Sequence, residues 1–169
     1  MELIWSICHV NRKNTLTEED SYHEAMLQCL KDFRWEDTAN KSVVMVGPPG
    51  CGKTNWAKKR ATKPALFVTH LDGLKHYDPN YHKSIIFDDM DFHRLPRPTQ
   101  IFLLDRENMR DIHVRYSVVN IPAGVEKYFT ANMDPFPRGD PALERRMQCI
   151  NVNVDFAQSL KNEGKMRLP

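Results

Sequence analysis

No run of apolar residues in this chain approaches the roughly 18 needed to cross a bilayer as a helix. Its first residues, MELIWSICHVNRKN, also lack the basic start and long apolar core of a secretory leader: Glu2 stands where cations would, and the apolar stretch is short. Cysteine is sparse. Cys8, Cys29, Cys51 and Cys149 form neither a C-x-x-C pair nor the framework of a small secreted fold, so free thiols in a reducing compartment are expected. Charge of one sign is missing too: the net charge is +2 over 169 residues, so any nucleic-acid contact must come from a few placed cations. There is no internal repeat and no low-complexity tract. The expectation is a soluble, intracellular protein without a membrane partner, long enough for one well-packed domain.

Residues 1–40 differ from the rest of the chain. After a polar cap region at Thr15 to Asp20, His23, Met26, Leu27, Leu30 and Phe33 recur at helical spacing, which predicts an amphipathic helix from about Glu18 to Phe33. Such a helix packs on the main domain or contacts another subunit, and spacing alone does not separate the two. From Lys41 the pattern changes. Ser42 to Val46 is a short apolar run rich in β-branched residues that ends at Gly47-Pro48-Pro49-Gly50, and Asn55 to Ala61 reads as the next helix. Ala65 to Val68, Ser84 to Phe87 and Tyr128 to Thr130 repeat the short buried strand. Strands separated by crossovers predict an α/β fold with a mainly parallel central sheet flanked by helices. The expected organisation is a helical segment over 1–40, a nucleotide-binding domain over 41–155 and a tail over 156–169.

Between the first strand and the first helix, Gly47-Pro48-Pro49-Gly50-Cys51-Gly52-Lys53-Thr54 matches G-x-x-x-x-G-K-[ST]. The chemistry explains the residue types. Glycines let backbone N–H groups turn inward around a phosphate, and the helix start adds its positive end. Lys53 would reach the β and γ phosphates of ATP, and Thr54 would offer its hydroxyl to Mg²⁺. Downstream, Ile85-Ile86-Phe87-Asp88-Asp89 is an apolar strand ending in two acids. Asp88 is expected to hold Mg²⁺ and Asp89 to orient or deprotonate the attacking water; alone, the same pair also reads as a solvated turn. Lys127 to Asn132 is a third such strand, and its terminal Asn132 is either a turn residue or a sensor of the γ-phosphate. In Ala142-Leu143-Glu144-Arg145-Arg146-Met147 the two guanidinium groups sit on a short helix after the Pro-rich turn Asp134 to Pro141. They are a solvated basic face, or a finger reaching a neighbour's γ-phosphate.

In this order and spacing, the phosphate loop, the Asp-Asp strand, Y-F-T-A-N and A-L-E-R-R resemble the superfamily 3 helicase domain, an AAA+-like P-loop NTPase. More narrowly they resemble the replication initiator (Rep) proteins of circular single-stranded DNA viruses of the circovirus-like group and their plasmid relatives. The stretches Leu104 to Asn108, Asp111 to Tyr116 and Ile121 to Gly124 are similar to the same group, and the likeness spans roughly residues 43–150. The resemblance implies an ATP- and Mg²⁺-dependent helicase acting on single-stranded DNA in rolling-circle replication, assembled as a homo-oligomeric ring, usually a hexamer, moving 3′ to 5′. It assigns Gly47 to Thr54 as Walker A, Asp88 and Asp89 as Walker B, Asn132 as motif C, and Arg145 or Arg146 as the finger. It also implies a β-hairpin before motif C, expected over Ile112 to Phe129 around Pro122-Ala123-Gly124. There Arg115 and Lys127, then Arg110 and His113, would meet DNA, unless they are ordinary surface charges. Location would be the host nucleus for a eukaryotic virus and the cytoplasm otherwise.

Rep proteins usually place an endonuclease before the helicase. The roughly forty residues ahead of the first strand lack its His-hydrophobe-His pair and the room for that domain, so origin nicking is not expected of this chain. Two rival readings stay open: a small-molecule P-loop kinase, which would need a lid and a basic acceptor pocket, and a non-catalytic assembly or interfering subunit with the same fold.

Overall fold

The structure, a computed structural model, describes residues 14–16, 40–50 and 52–152. Strand β2 (Ser42–Val46) carries only small or apolar side chains, which suits a strand covered on both faces. It is flanked by β7 (Glu126–Ala131) on one side and β8 (Met147–Asn151) on the other, parallel to both. Beyond β7 come β4 (Ser84–Asp88) and β3 (Ala65–Val68), also parallel, and the two-residue β1 (Thr15–Leu16) closes the edge antiparallel to β3. The order across the sheet is therefore β1-β3-β4-β7-β2-β8. Because β7 separates β2 from β4, the ends of three different strands open onto one side of the sheet.

Period-two alternation splits the sheet's side chains between two cores. Val43, Met45, Ile86 and Tyr128 face α1 (Lys53–Arg60), which contributes Trp56 and Ala57. Val44, Ile85, Phe87 and Phe129 face the other way, toward Leu103 and Leu104 of α2 (Arg97–Leu104) and Leu143 of the one-turn α3 (Pro141–Glu144). Ile85, Ile86 and Phe87 are fully buried, each contributing roughly 1.5–3 kcal/mol of transfer free energy. No helix among the described residues is long and apolar enough to cross a membrane.

A separate two-stranded ribbon, β5 (Arg110–Val114) and β6 (Ser117–Ile121), stands off the main sheet. Ile112, Val119 and Ile121 anchor it to the core, and its outer end rests on the 3-10 turn Leu71–His76, where Asp72 Oδ1 accepts from Arg115 N at 2.9 Å. This corrects the expected hairpin. The chain reverses at Arg115-Tyr116, Tyr116 taking a left-handed φ of 63°, whereas Pro122-Ala123-Gly124 only joins β6 to β7. The β3 bounds are as expected from sequence, β4 and β7 extend further, and α1 begins two residues early, at Lys53. Strand β8 and helix α2 had no counterpart among the elements expected from sequence. Thr15 and Leu16, expected in a cap region, are extended and pair with the sheet edge. The helix expected from Glu18 to Phe33 and the tail over 156–169 lie outside the described residues.

Candidate functional site

The phosphate loop leaves β2 under tight constraint. A Cβ on Gly47 would lie 2.5 Å from the carbonyl oxygen of Val152, so only glycine fits where the loop passes that segment. Gly50 (φ 75°) and Gly52 (φ 89°) take left-handed conformations that most side chains would strain. Cys51, between them, lies outside the described residues. The loop feeds directly into α1, whose last turn carries Lys58, Lys59 and Arg60 near its negative end.

Lys53 is the hub of the loop. Its Nζ, largely buried, donates to the carbonyls of Gly47 and Pro48 at 2.8 Å each and to Asn132 Oδ1 at 3.2 Å. Asn132 follows β7, so the first and third sequence motifs touch through this contact. One residue along α1, Thr54 Oγ1 donates to Asp88 Oδ1 at 2.5 Å, and the same oxygen accepts from Thr130 Oγ1 at 2.8 Å. A hydroxyl and a carboxylate this close, both facing the cleft, suit a shared hard cation with oxygen ligands such as Mg²⁺. Thr130 was not singled out from sequence; an alternating polar residue on a buried central strand was the signal that could have found it.

Asp89 takes a left-handed φ of 53°, which Asp tolerates better than most residues, while its N–H donates to Thr130 O at 2.8 Å. The exposed carboxylate lines a cleft of ≈ 340 Å³ together with Pro49, Gly50, Gly52, Lys53, Thr54, Asp88 and Asn132. Four phenylalanines of the core, none of them lining the cleft, pack together between the segments that carry Asp89 and Asn132. Phe87 stacks on Phe129 at 4.5 Å and Phe92 on Phe136 at 4.8 Å, with edge contacts between the two pairs. Because Phe92 and Phe136 come from the segments after β4 and β7, this cluster and the bond from Phe92 N to Pro135 O fix the spacing of Asp89 and Asn132. Packed rings hold the polar groups in place before any ligand arrives.

The four cations expected to meet DNA separate into two kinds. Arg115 and His113 are exposed on the ribbon. Arg115 and Lys75 share one ring: Arg115 Cζ is 5.1 Å and Lys75 Nζ 5.8 Å from the centroid of Tyr116, which is 89% exposed at the tip. Tyr116 and Lys75 were missed in the sequence because their juxtaposition depends on the ribbon resting on the 3-10 turn. Arg110 is instead turned inward onto Asp105 (Nη2 to Oδ2 2.6 Å) and over the ring of Phe102.

Lys127 is a correction. It is 1% exposed, and its Nζ donates to the carbonyls of Asp105 at 2.6 Å and Phe102 at 3.4 Å, so it presents no cation to a nucleic acid. Burial pulls its pKa down to about 7, with Asp105 opposing and Arg106 and Arg110 reinforcing. Between that value and the ordinary lysine value near 10.5, the unfolded chain holds a proton that the folded chain does not. Stability contributed at this position therefore rises with pH across that window and is flat below it. Comparing melting temperatures of wild type and Lys127→Met from about pH 6 to about pH 10 should show the difference moving in favour of wild type above about pH 7. Single-strand affinity of the variant should stay at the wild-type level. A pH-independent difference, or a lost salt-dependent affinity, would overturn the assignment.

The two C-terminal arginines also differ. Arg146 Nη1 donates to Ala142 O at 2.6 Å and its Nε lies 3.8 Å from Asp105 Oδ2, leaving the side chain mostly buried. Arg145 is exposed and makes no ion pair among the described residues. Both sit at the start of β8, where Arg146 O accepts from Ser42 N, the first residue of β2. The phosphate loop leaves the other end of that strand. α3 holds the turn in place: Asp140 caps it through Ala142 N at 2.9 Å and ties it to Arg97 of α2 at 2.6 Å.

A mainly parallel α/β sheet whose strand β2 delivers G-x-x-x-x-G-K-T into α1, with an acid-tipped strand two places away, defines a P-loop NTPase fold. Among solved structures the chain is similar to the JCV (JC virus) helicase, in one structure with 14% identity over 85% of this chain and 44% of that one at a TM-score of 0.46, and in another with 18% identity over 82% and 42% at 0.44. It is also similar to NtrX from Brucella abortus in complex with ATP, with 15% identity over 96% and 47% at 0.43. The chain thus spans less than half the length of these proteins. No family model matches the chain, and no curated protein matches it.

Proposed function

We propose that this protein is a Mg²⁺-dependent ATPase of the superfamily 3 helicase type that moves single-stranded DNA, as in the replication of circular viral or plasmid genomes. The observation that carries the reading is the convergence of Lys53, Thr54, Asp88, Asp89 and Asn132 on one cleft from three separate strand ends. In this scheme the loop amides and Lys53 bind the phosphates, Asp89 orients water and takes up its proton, and Asn132 hydrogen-bonds the terminal phosphate. Bound Mg²⁺, held by Thr54 and Asp88, would supply charge neutralisation between the phosphates. Arg145, at the opposite end of the sheet from its own phosphate loop, suits a finger given to a neighbouring subunit, which favours a ring. Of the pair, only Arg145 is exposed enough to reach one.

For the nucleic acid, Tyr116 offers a face on which a base can stack, with Arg115 and Lys75 beside it for phosphate. The test is phosphate release with and without Mg²⁺ and an oligothymidylate, over a range of protein concentrations. Hydrolysis should require Mg²⁺, rise with the oligonucleotide and rise more than linearly with protein. A specific activity independent of protein concentration and of DNA would favour the monomeric kinase reading instead. Tyr116→Ala should weaken oligothymidylate binding by about 1–3 kcal/mol while leaving unstimulated hydrolysis intact; unchanged affinity would remove the ribbon tip from the DNA site.

A further inference from the structure

Asp105, directly after α2, is 1% exposed and touches three functional regions at once. Its Oδ2 accepts from Arg110 Nη2 at 2.6 Å and Nε at 2.8 Å, and Arg110 is the first residue of the ribbon. The same oxygen lies 3.8 Å from Arg146 Nε, beside Arg145 in the arginine turn. Its backbone carbonyl accepts from Lys127 at the start of β7, the strand whose far end leads to Asn132. Oδ1 is held by the amides of Glu107 (2.9 Å) and Asn108 (3.3 Å), and Asn108 Nδ2 also reaches Oδ2 at 3.2 Å.

A single buried anion thus stands between Arg110 and Arg146, and without it the two guanidinium groups would face each other uncompensated. Burial raises its pKa, but the hydrogen bonds from Arg110, Asn108 and the two amides outweigh that and hold it at about 2, so the link is charged at any working pH. Its side chain bridges the DNA-facing ribbon and the arginine turn, and its backbone carbonyl holds the nucleotide-facing strand, so one residue is the junction of all three.

We infer that Asp105 is a positioning residue that couples the single-strand ribbon to the arginine turn and to β7, so that DNA binding at Tyr116 alters hydrolysis. This rests on the motor reading above. The test uses the full chain and Asp105→Asn, which keeps the shape and can still accept from the amides. Unstimulated hydrolysis and oligothymidylate affinity should stay near wild type, while stimulation by the oligonucleotide falls about tenfold, a typical coupling between sites. Asp105→Glu, which restores the charge, should recover part of the stimulation.

A residue with a merely structural role would lower all three quantities together with the melting temperature, and that result, or wild-type stimulation in Asp105→Asn, overturns the inference. Should Asp105→Asn not fold, hydrogen exchange of the wild type gives the answer: adding oligothymidylate should change protection at residues 105–114 and 142–147 together. A change confined to the ribbon overturns it. Failure of the motor reading is seen separately, as wild-type protein that shows no DNA-stimulated hydrolysis at all.

Discussion

Lys53→Ala is expected to reduce ATP hydrolysis to background and to weaken nucleotide binding strongly, with the fold retained. The ammonium sits where the loop carbonyls of Gly47 and Pro48 and the amide of Asn132 converge, so it is the only side chain that joins the first motif to the third among the described contacts. Removing one preorganised donor at a developing charge costs about 10²–10³-fold in rate, and here the donor is a full cation. The Gly47 carbonyl it leaves behind is buried and that of Pro48 partly so, so a stability loss of about 1–3 kcal/mol is expected beside the kinetic one. Phosphate release and titration with a fluorescent nucleotide, run beside a circular dichroism spectrum, make the comparison. Wild-type turnover in a folded Lys53→Ala protein would remove the phosphate-loop assignment and the motor with it.

The second large effect is expected at Arg145. Its alanine variant should bind nucleotide normally and lose about 10³-fold in turnover, the usual weight of an arginine finger. Since β2 runs from Ser42, bonded to Arg146, to Val46, before the loop, Arg145 and the phosphate loop of one chain face opposite ends of the sheet. A finger there serves another subunit. Mixing Arg145→Ala with Lys53→Ala should therefore restore part of the activity, because some interfaces pair an intact loop with an intact finger. The experiment has to be run where assembly is verified by sedimentation or light scattering. No rescue at any ratio in assembled protein would argue for a self-contained site. Arg146→Ala should behave differently, lowering the melting temperature through loss of its Asp105 and Ala142 contacts.

How far the sequence could be read depended on whether a residue's role is local. The phosphate loop, Asp88 and Asn132 stand at strand ends announced by short apolar runs, and the partners each needs are set by the parallel sheet itself. Strand β8 was hidden because Met147-Gln148-Cys149-Ile150-Asn151 has neither β-branched density nor clean alternation, its outer half being only partly covered. Helix α2 was hidden because its apolar residues crowd into the last turn after Pro98. The ribbon's reversal was misplaced since Tyr116 adopts a left-handed φ without a glycine or asparagine to signal it, while Pro122-Ala123-Gly124 looks like a turn and is one, merely in another connection. Lys127 could have been read better. A lysine inside a strand buried on both faces has no solvent side to reach. Asp105 could not, because its partners Arg110 and Arg146 meet only after the chain has folded around them.

The phenylalanine cluster bears on what it takes for such a site to be inherited. Motif matching scores the polar residues, yet the segments that carry Asp89 and Asn132 are tied together by Phe87, Phe92, Phe129 and Phe136, of which Phe92 and Phe136 lie outside every motif. Truncating a ring of this size in a packed core costs about 3–5 kcal/mol, a large part of the total stability of an ordinary domain. A descendant chain with every polar signature residue intact and one of these rings lost would still match the motifs while losing stability, whereas an exchange at exposed Arg94 or Glu107 should cost within about 0.5 kcal/mol. The heritable unit is the set of motifs together with the aromatic cluster that joins the segments carrying them.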